Sequence, residues 1–287
     1  MRRLHFEELG RWPRLSPPET LNERIIHRIL YDRDPRLKTI SDKIAVKDFI
    51  AKAVGDSYPV PLLGQWRRAE DVAWSDLPQA FVLKPNQTSG PFIIAEDKRT
   101  ADRDAILSEA AGWLRRRMPF LPEVRAEWGY QGLPRRIMAE PLLLAPEGGV
   151  VREINVFTFG GRAALVRLYS GRKLTKERSD GWFDLDGRQL AIRTNHLLNT
   201  PCTIADDIRR EAVAVSERLS EGFSSMRVDF YITGAGLLVG ELTPYSWGGK
   251  CQFHPPELDA RLGQLWHSLD TATIPTYEQA TEAESVA

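Results

Sequence analysis

Met226-Arg227-Val228-Asp229-Phe230-Tyr231 and Leu237-Leu238-Val239-Gly240-Glu241-Leu242 flank the link Thr233-Gly234-Ala235-Gly236. Both runs have β-type composition and the link is rich in glycine, so the segment reads as a β-hairpin. A three-residue turn centred on Ala235 sets Asp229 directly opposite Glu241. Opposed residues carry side chains roughly 5 Å apart. Two carboxylates that close repel each other unless a cation lies between them. Mg²⁺ takes one or two carboxylates together with phosphate oxygens. The hairpin therefore fits a magnesium–nucleotide site. It also fits a plain hairpin with two solvated acids.

The rest of the chain bounds that choice. Its 287 residues allow one large domain or two, and a hydrophobic share of 42% allows a sizeable core. Basic and acidic residues balance at 39 each, so no net field favours nucleic acid or an anionic membrane. Runs such as Arg115-Arg116-Arg117 read as a solvated helix face. Cys202 and Cys251 are too few for a disulfide framework and lack metal-ligand spacing, and the five histidines show none either. No stretch approaches the ~20 apolar residues of a membrane span, and the N-terminus lacks an apolar signal core. A cytoplasmic globular protein is expected.

Pattern and punctuation predict the elements. Residues 17–31 read as a helix capped by Thr20, with Leu21, Ile25, Ile26, Ile29 and Leu30 as its apolar stripe. A second helix starts near Ser41 or Asp42 and runs to Gly55. Strands are predicted at 60–64, 80–84 and 92–95, a helix over 101–118 and a strand at 136–140. A hairpin of 153–159 with 162–169 turns at Gly160-Gly161. A helix over 204–222 precedes the Asp229/Glu241 hairpin, and a last helix spans 256–268. The polar tail from Thr271 is expected to be mobile. The mixture of hairpins and helices implies an α+β fold with largely antiparallel sheets.

Lys84 ends a buried strand and points to the loop Asn86-Gln87-Thr88-Ser89-Gly90. Such loops wrap phosphates through backbone N–H groups, with a lysine neutralising charge, although an exposed lysine at a strand end is the commoner case. No Walker sequence is present. The tryptophans read as packing residues, with Trp247 beside Gly248-Gly249-Lys250 as a candidate border of an acceptor site. Asp184 and Asp186 read as turn residues.

The order of these features resembles the ATP-grasp superfamily, and more narrowly the TupA-like ATP-grasp family of bacterial surface-polymer biosynthesis. The resemblance rests on PPETLNERI, DRDPRLKTISDKIAVKDFI, YPVPLLG, LPQAFVLKPNQTSG, RIMAEPLL, FTFGGRAALV, WFDLDG, RVDFY, GELTPYSWGG and PPELDARLG, in order over about residues 15–265. It implies two α+β subdomains clamping ATP: 41–145 with its lid, and 146–268 with the catalytic residues. A reduced helical segment, 1–40, precedes them and a mobile tail, 269–287, follows. Lys43 and Lys84 would hold nucleotide phosphates, and the loop with Ser89 and Gly90 would fold over them. Glu140, Pro141, Leu142 and Leu143 would line the adenine and Glu153 the ribose. Asp229 and Glu241 would bind Mg²⁺. Arg227 would steady the transferred phosphate, Arg172 would meet the substrate carboxylate, and Lys250 would join them in catalysis. Superfamily members often carry Asn two residues after the second acid. Here Thr243 stands there, a weaker ligand. The implied activity is ATP-dependent carboxylate–amine ligation on small-molecule or polymer-precursor substrates. A small-molecule kinase and a non-catalytic nucleotide- or carbohydrate-binding protein are the alternatives.

Overall fold

The computed structural model describes residues 1–88, 90–115, 126–170, 179–195 and 199–267. Helices α1 (Arg2–Leu9), α2 (Leu21–Tyr31), α3 (Arg36–Ser41) and α4 (Ala45–Val54) come first. A reciprocal capping box fixes the start of α2. The Thr20 side chain accepts from Glu23 N, and the Glu23 carboxylate accepts from Thr20 N at 3.1 Å. The helix expected from Ser41 or Asp42 to Gly55 is α4, which starts later, at Ala45; α3 before it was not predicted, and Asp42 separates the two. Its Oδ1 accepts from Ile44 N at 2.9 Å and from the Asn86 side chain at 3.0 Å. A short acidic side chain competes in this way with the helix for backbone donors.

Next come β1 (Gly64–Trp66), β2 (Phe81–Pro85), β3 (Ile93–Ala95), helix α5 (Arg103–Arg115) and β4 (Ile137–Pro141). The strands form an antiparallel sheet in the order β1-β4-β2-β3. Phe81, Leu83, Ile137 and Ala139 of this sheet pack on Ala110 and Trp113 of α5. The predicted strand at 60–64 begins later, at Gly64. Residues 58–60 pair elsewhere, as described below.

The remaining elements are β5 (Arg152–Phe159), β6 (Arg162–Ser170), β7 (Ser179–Phe183), β8 (Gln189–Leu190), β9 (Arg193–Thr194), α6 (Asp206–Leu219), β10 (Ser225–Thr233), β11 (Gly236–Thr243), β12 (Phe253–His254) and α7 (Glu257–His267). Six strands form a second antiparallel sheet in the order β11-β10-β5-β6-β7-β8, and β9 pairs with β12. Strand alternation gives this sheet two different faces. Ile154, Val156, Val166, Leu168, Val228 and Phe230 share a core with α3, α4 and α6. Helix α4, which the sequence reading assigned to the unit 41–145, thus packs on the larger sheet. On the opposite face Phe157 and Trp182 pack with α2 and α7. Besides Phe157, the positions on that face alternating with Ile154, Val156 and Val228 are polar: Glu153, Asn155, Arg227 and Asp229.

One extended segment joins the two sheets. Val239 N on β11 donates to Tyr58 O at 2.7 Å, and Leu63 N donates to Ala139 O on β4 at 2.9 Å. The C-terminal end of β4 is thereby held near the polar face of β10 and β11. Among the described residues no helix is long and apolar enough to cross a membrane. The tail from 269 lies outside the described residues.

Candidate active site

Asp229 and Glu241 are direct partners across β10 and β11, as expected, but not for the expected reason. The turn holds two residues, Gly234 and Ala235, because Thr233 pairs with Gly236. A β-bulge between Asp229 and Phe230 inserts Gly240 as an extra residue on β11, which restores the register. Glycine is required at 240, since a Cβ there would lie 2.4 Å from the Tyr231 ring.

Charged side chains from both sheets meet around this pair. Lys43, between α3 and α4, places Nζ 3.1 Å from Glu241 Oε1. Arg227 grips Asp229 with two bonds, Nε to Oδ1 and Nη2 to Oδ2, both 2.7 Å. Thr243 Oγ1 donates to Asp229 Oδ2 at 3.1 Å, and Asn155 Nδ2 donates to Oδ1 at 2.8 Å. On β4, Glu140 pairs with Lys84 at 2.5 Å and with Lys47 at 2.7 Å.

Burial sets the electrostatics, and partners modify it. Burial alone would lift the Glu140 pKa, but Lys84 and Lys47 outweigh it and hold the carboxyl below its ordinary value. Burial lowers the Lys47 pKa; Glu140 opposes this, while Lys84 and Lys43 add to it. Asp229 is raised, first by burial. Arg227 pulls it down, and the neighbouring Glu241 and Glu153 push it up. Burial disfavours the Arg227 cation, yet Asp229 more than offsets this and its pKa rises.

Other expected residues fall around this centre. Glu140 and Pro141 end β4, and Leu142 and Leu143 continue it, all but Glu140 half-buried. Glu153 lies on β5 opposite Tyr231. Gly90 is exposed with φ +120°, whereas Asn86, Gln87 and Thr88 before it are buried. Asn86 is pinned: Arg136 N donates to its Oδ1 at 2.8 Å and its Nδ2 donates to Pro134 O at 2.9 Å. That half of the expected lid is therefore a fixed wall. Trp247 stacks on Phe157, ring centroids 5.5 Å apart, and lies beside Arg227. Lys250 pairs with Glu8 of α1 at 3.8 Å and so faces the N-terminal helix. Ser89 and Arg172 lie outside the described residues.

Two site residues escaped the sequence reading. Lys47 had a signal, one helical turn beyond Lys43. Asn155 had a weaker one, a polar residue alternating with Ile154 and Val156 in a strand.

The oxygens at Asp229 are carboxylate and hydroxyl, hard donors that Mg²⁺ takes, while the Asn155 amide turns its nitrogen to the carboxylate. Among the described residues no group of three or more His, Cys, Asp or Glu side chains is placed to hold a metal. A cation here would need phosphate oxygens to complete its shell. The donor set fits Mg²⁺ carried by a nucleotide.

Two antiparallel sheets joined by one extended segment, with Lys84 on the smaller and the opposed acids on the larger, make an ATP-grasp fold. The chain belongs to the TupA-like ATP-grasp family: the family described as TupA-like ATPgrasp matches residues 23–267. Comparison with curated proteins gives no match. Among solved structures, a RimK domain protein ATP-grasp from Sphaerobacter thermophilus is 14% identical, over 86% of this chain and 70% of that one, with a TM-score of 0.45. D-alanine–D-alanine ligase from Bacillus anthracis, complexed with ATP, is 16% identical over 72% and 55%, with a TM-score of 0.41. The ATP-grasp ligase PsnB, complexed with a phosphomimetic variant of minimal precursor, Mg and ADP, is 15% identical over 81% and 58%, with a TM-score of 0.44. The chain thus spans little more than half the length of these two ligases, 55% and 58%.

Proposed function

We propose that the chain is an ATP-dependent carboxylate–amine ligase. The observation that carries this reading is the opposed pair Asp229 and Glu241 with Arg227 and Lys43 already seated on it. In this reading the nucleotide lies between the sheets. Leu142 and Leu143 line the adenine, Glu153 the ribose, and Lys84 and Lys43 the phosphates. Mg²⁺, held by Asp229 and Glu241, would neutralise phosphate charge.

The chain's own residues do the positioning. A substrate carboxylate oxygen attacks the γ-phosphorus. The bond from that phosphorus to the β–γ bridging oxygen breaks, and ADP leaves with the electron pair. An amine nitrogen then attacks the acyl carbon of the acylphosphate, phosphate departs, and the nitrogen gives a proton to solvent. Arg227 stabilises charge on the transferred phosphoryl group, and Arg172 is proposed for the acceptor carboxylate. Charge stabilisation and orientation, not covalent catalysis, supply the rate in such a site. The family suggests carboxylates of surface-polymer precursors as acyl donors, and use of ATP suggests a cytoplasmic enzyme.

The test is ADP release from Mg-ATP against panels of carboxylates and amines, with mass spectrometry of products. ADP formation that needs both partners, with an amide product, is expected. A stable phosphorylated product without amine would make it a kinase. Folded protein that binds no Mg-nucleotide would remove the enzyme reading.

A further inference from the structure

The next step rests on the ligase reading and concerns its cation site. Asn155 sits on β5 in register with Asp229 of β10 on one side and Arg167 of β6 on the other. Its side chain is buried and its Nδ2 donates to Asp229 Oδ1 at 2.8 Å. An ionised carboxylate offers about four lone-pair positions. Those of Asp229 are filled by Arg227 Nε and Asn155 Nδ2 on Oδ1, and by Arg227 Nη2 and Thr243 Oγ1 on Oδ2. A cation that reaches this carboxylate must displace donors.

The three residues differ in how they can yield. A guanidinium has donors only, so Arg227 can only withdraw. A hydroxyl and a primary amide each carry both donor and acceptor. The Asn155 amide, turned half a revolution about its last torsion, presents Oδ1 where Nδ2 stood. The shape is nearly unchanged and no charge is buried or exposed. The group passes from repelling a cation to binding one. Of the three residues on Asp229, Asn155 alone brings an amide oxygen, a donor type that hard divalent cations accept.

We propose that Asn155 is an oxygen ligand of the divalent-cation site, supplied from β5 to the acids of β10 and β11. Its donation to Asp229 in the metal-free protein is the resting form of the same side chain. A role confined to orienting Asp229 would need the N–H donor and not the oxygen, and this difference is what the experiment reads.

Mn²⁺ serves as the probe, titrated by electron paramagnetic resonance into full-length protein saturated with ADP. Metal-free ADP affinity and melting temperature are measured beside it. Asn155→Leu should weaken Mn²⁺ binding at least fivefold and leave metal-free ADP affinity within twofold. Asn155→Asp keeps an oxygen and loses the donor. It should melt lower than wild type without metal, and bind Mn²⁺ at least as tightly as wild type. Asn155→Ala is read in the same way as the leucine variant should the latter fail to fold. A loss smaller than fivefold in the leucine or alanine variant overturns the proposal, as does an aspartate variant that binds Mn²⁺ more weakly than wild type. Wild-type protein that binds no Mn²⁺ with ADP overturns both this proposal and the ligase reading.

Discussion

Glu140 holds two ammonium groups on one carboxylate, Lys47 on Oε1 and Lys84 on Oε2. All three side chains are largely buried. Removing one member of a buried ionic group leaves uncompensated charge, at about 3–5 kcal/mol. Glu140→Gln therefore should lower stability by an amount near the bottom of that range, because the amide oxygen still accepts one lysine. Urea unfolding of the variant measures it, and a change under about 1 kcal/mol, the size of a typical surface effect, would mean that the pair is screened by solvent. The lysines themselves are separable. Lys84→Met should weaken Mg-ATP binding by about tenfold, or ~1.4 kcal/mol, in calorimetric titration. Asp229→Asn should be more damaging to turnover than to folding. It removes the charge that holds Arg227 and that the proposed cation site needs, while the carboxamide still fills the space. Retention of wild-type ADP release by folded Asp229→Asn protein would show that this hairpin does not hold the reacting nucleotide.

Between elements, the corner of α1, α2 and α7 holds two groups, His5 and Glu23, whose folded pKa lies below the ordinary value, and Asp259 of α7, whose pKa burial raises. His5 is buried on α1 and its Nδ1 meets Gly249 O at 2.9 Å. Burial lowers its pKa below 6.5, with the Gly249 contact opposing. Glu23, at the start of α2, is held below its ordinary value despite burial, by backbone N–H groups of Arg14, Glu19 and Thr20 and by Arg11. In both cases the folded protein binds fewer protons than the unfolded chain, so stability is present above the unfolded pKa and lost as pH falls. The loss begins near pH 6.5 with His5 and continues near 4.5 with Glu23. Melting temperature should fall on acidification from neutrality. His5→Asn, which keeps a donor for Gly249 O, should flatten the fall between pH 6.5 and 5.5. An unchanged slope would assign that fall to other groups. The same corner shows what the sequence made legible. The cap at Thr20 and the stripe of α2 were local patterns, as were the hairpins marked by Gly160-Gly161 and by the glycine-rich link at 233–236; the Glu23 half of the capping box was not read. Helix α1 has only eight residues and a weak pattern. Strands β9 and β12 have two residues each and pair Thr194 with Phe253, far apart in the chain, so neither leaves a local signal. The Asp229–Glu241 register came out right because a shorter turn and a bulge compensate, a cancellation that composition does not reveal.

At the scale of the whole molecule, the site cations are bound before any ligand arrives. Lys43 sits on Glu241, Arg227 on Asp229, and Lys84 with Lys47 on Glu140, and the Lys47 pair ties α4, which packs on the larger sheet, to β4 of the smaller one. Mg²⁺ alone would have to strip Arg227 and Lys43 from the acids and leave two cations unpaired. Nucleotide alone would draw lysines and arginine toward phosphate and leave the acids opposed. Both together exchange partners completely: carboxylates to metal, cations to phosphate. Each unpaired intermediate costs free energy that the joint state does not, so the two ligands should bind with positive coupling, which is reciprocal. The coupling should reach at least tenfold in affinity, within the usual 1–3 kcal/mol. The measurement is thermal stability with ATP and chelator, with Mg²⁺ alone, and with both. A ligand at a hundred times its Kd raises stability by about 2.7 kcal/mol. The combined shift should therefore exceed the sum of the separate ones at equal concentrations. Glu241→Gln, which loosens Lys43 beforehand, should reduce the excess more than it reduces the shift from ATP with chelator. Strictly additive shifts in wild-type protein would mean that the resting ion pairs persist when nucleotide binds, and that phosphate is held by other groups.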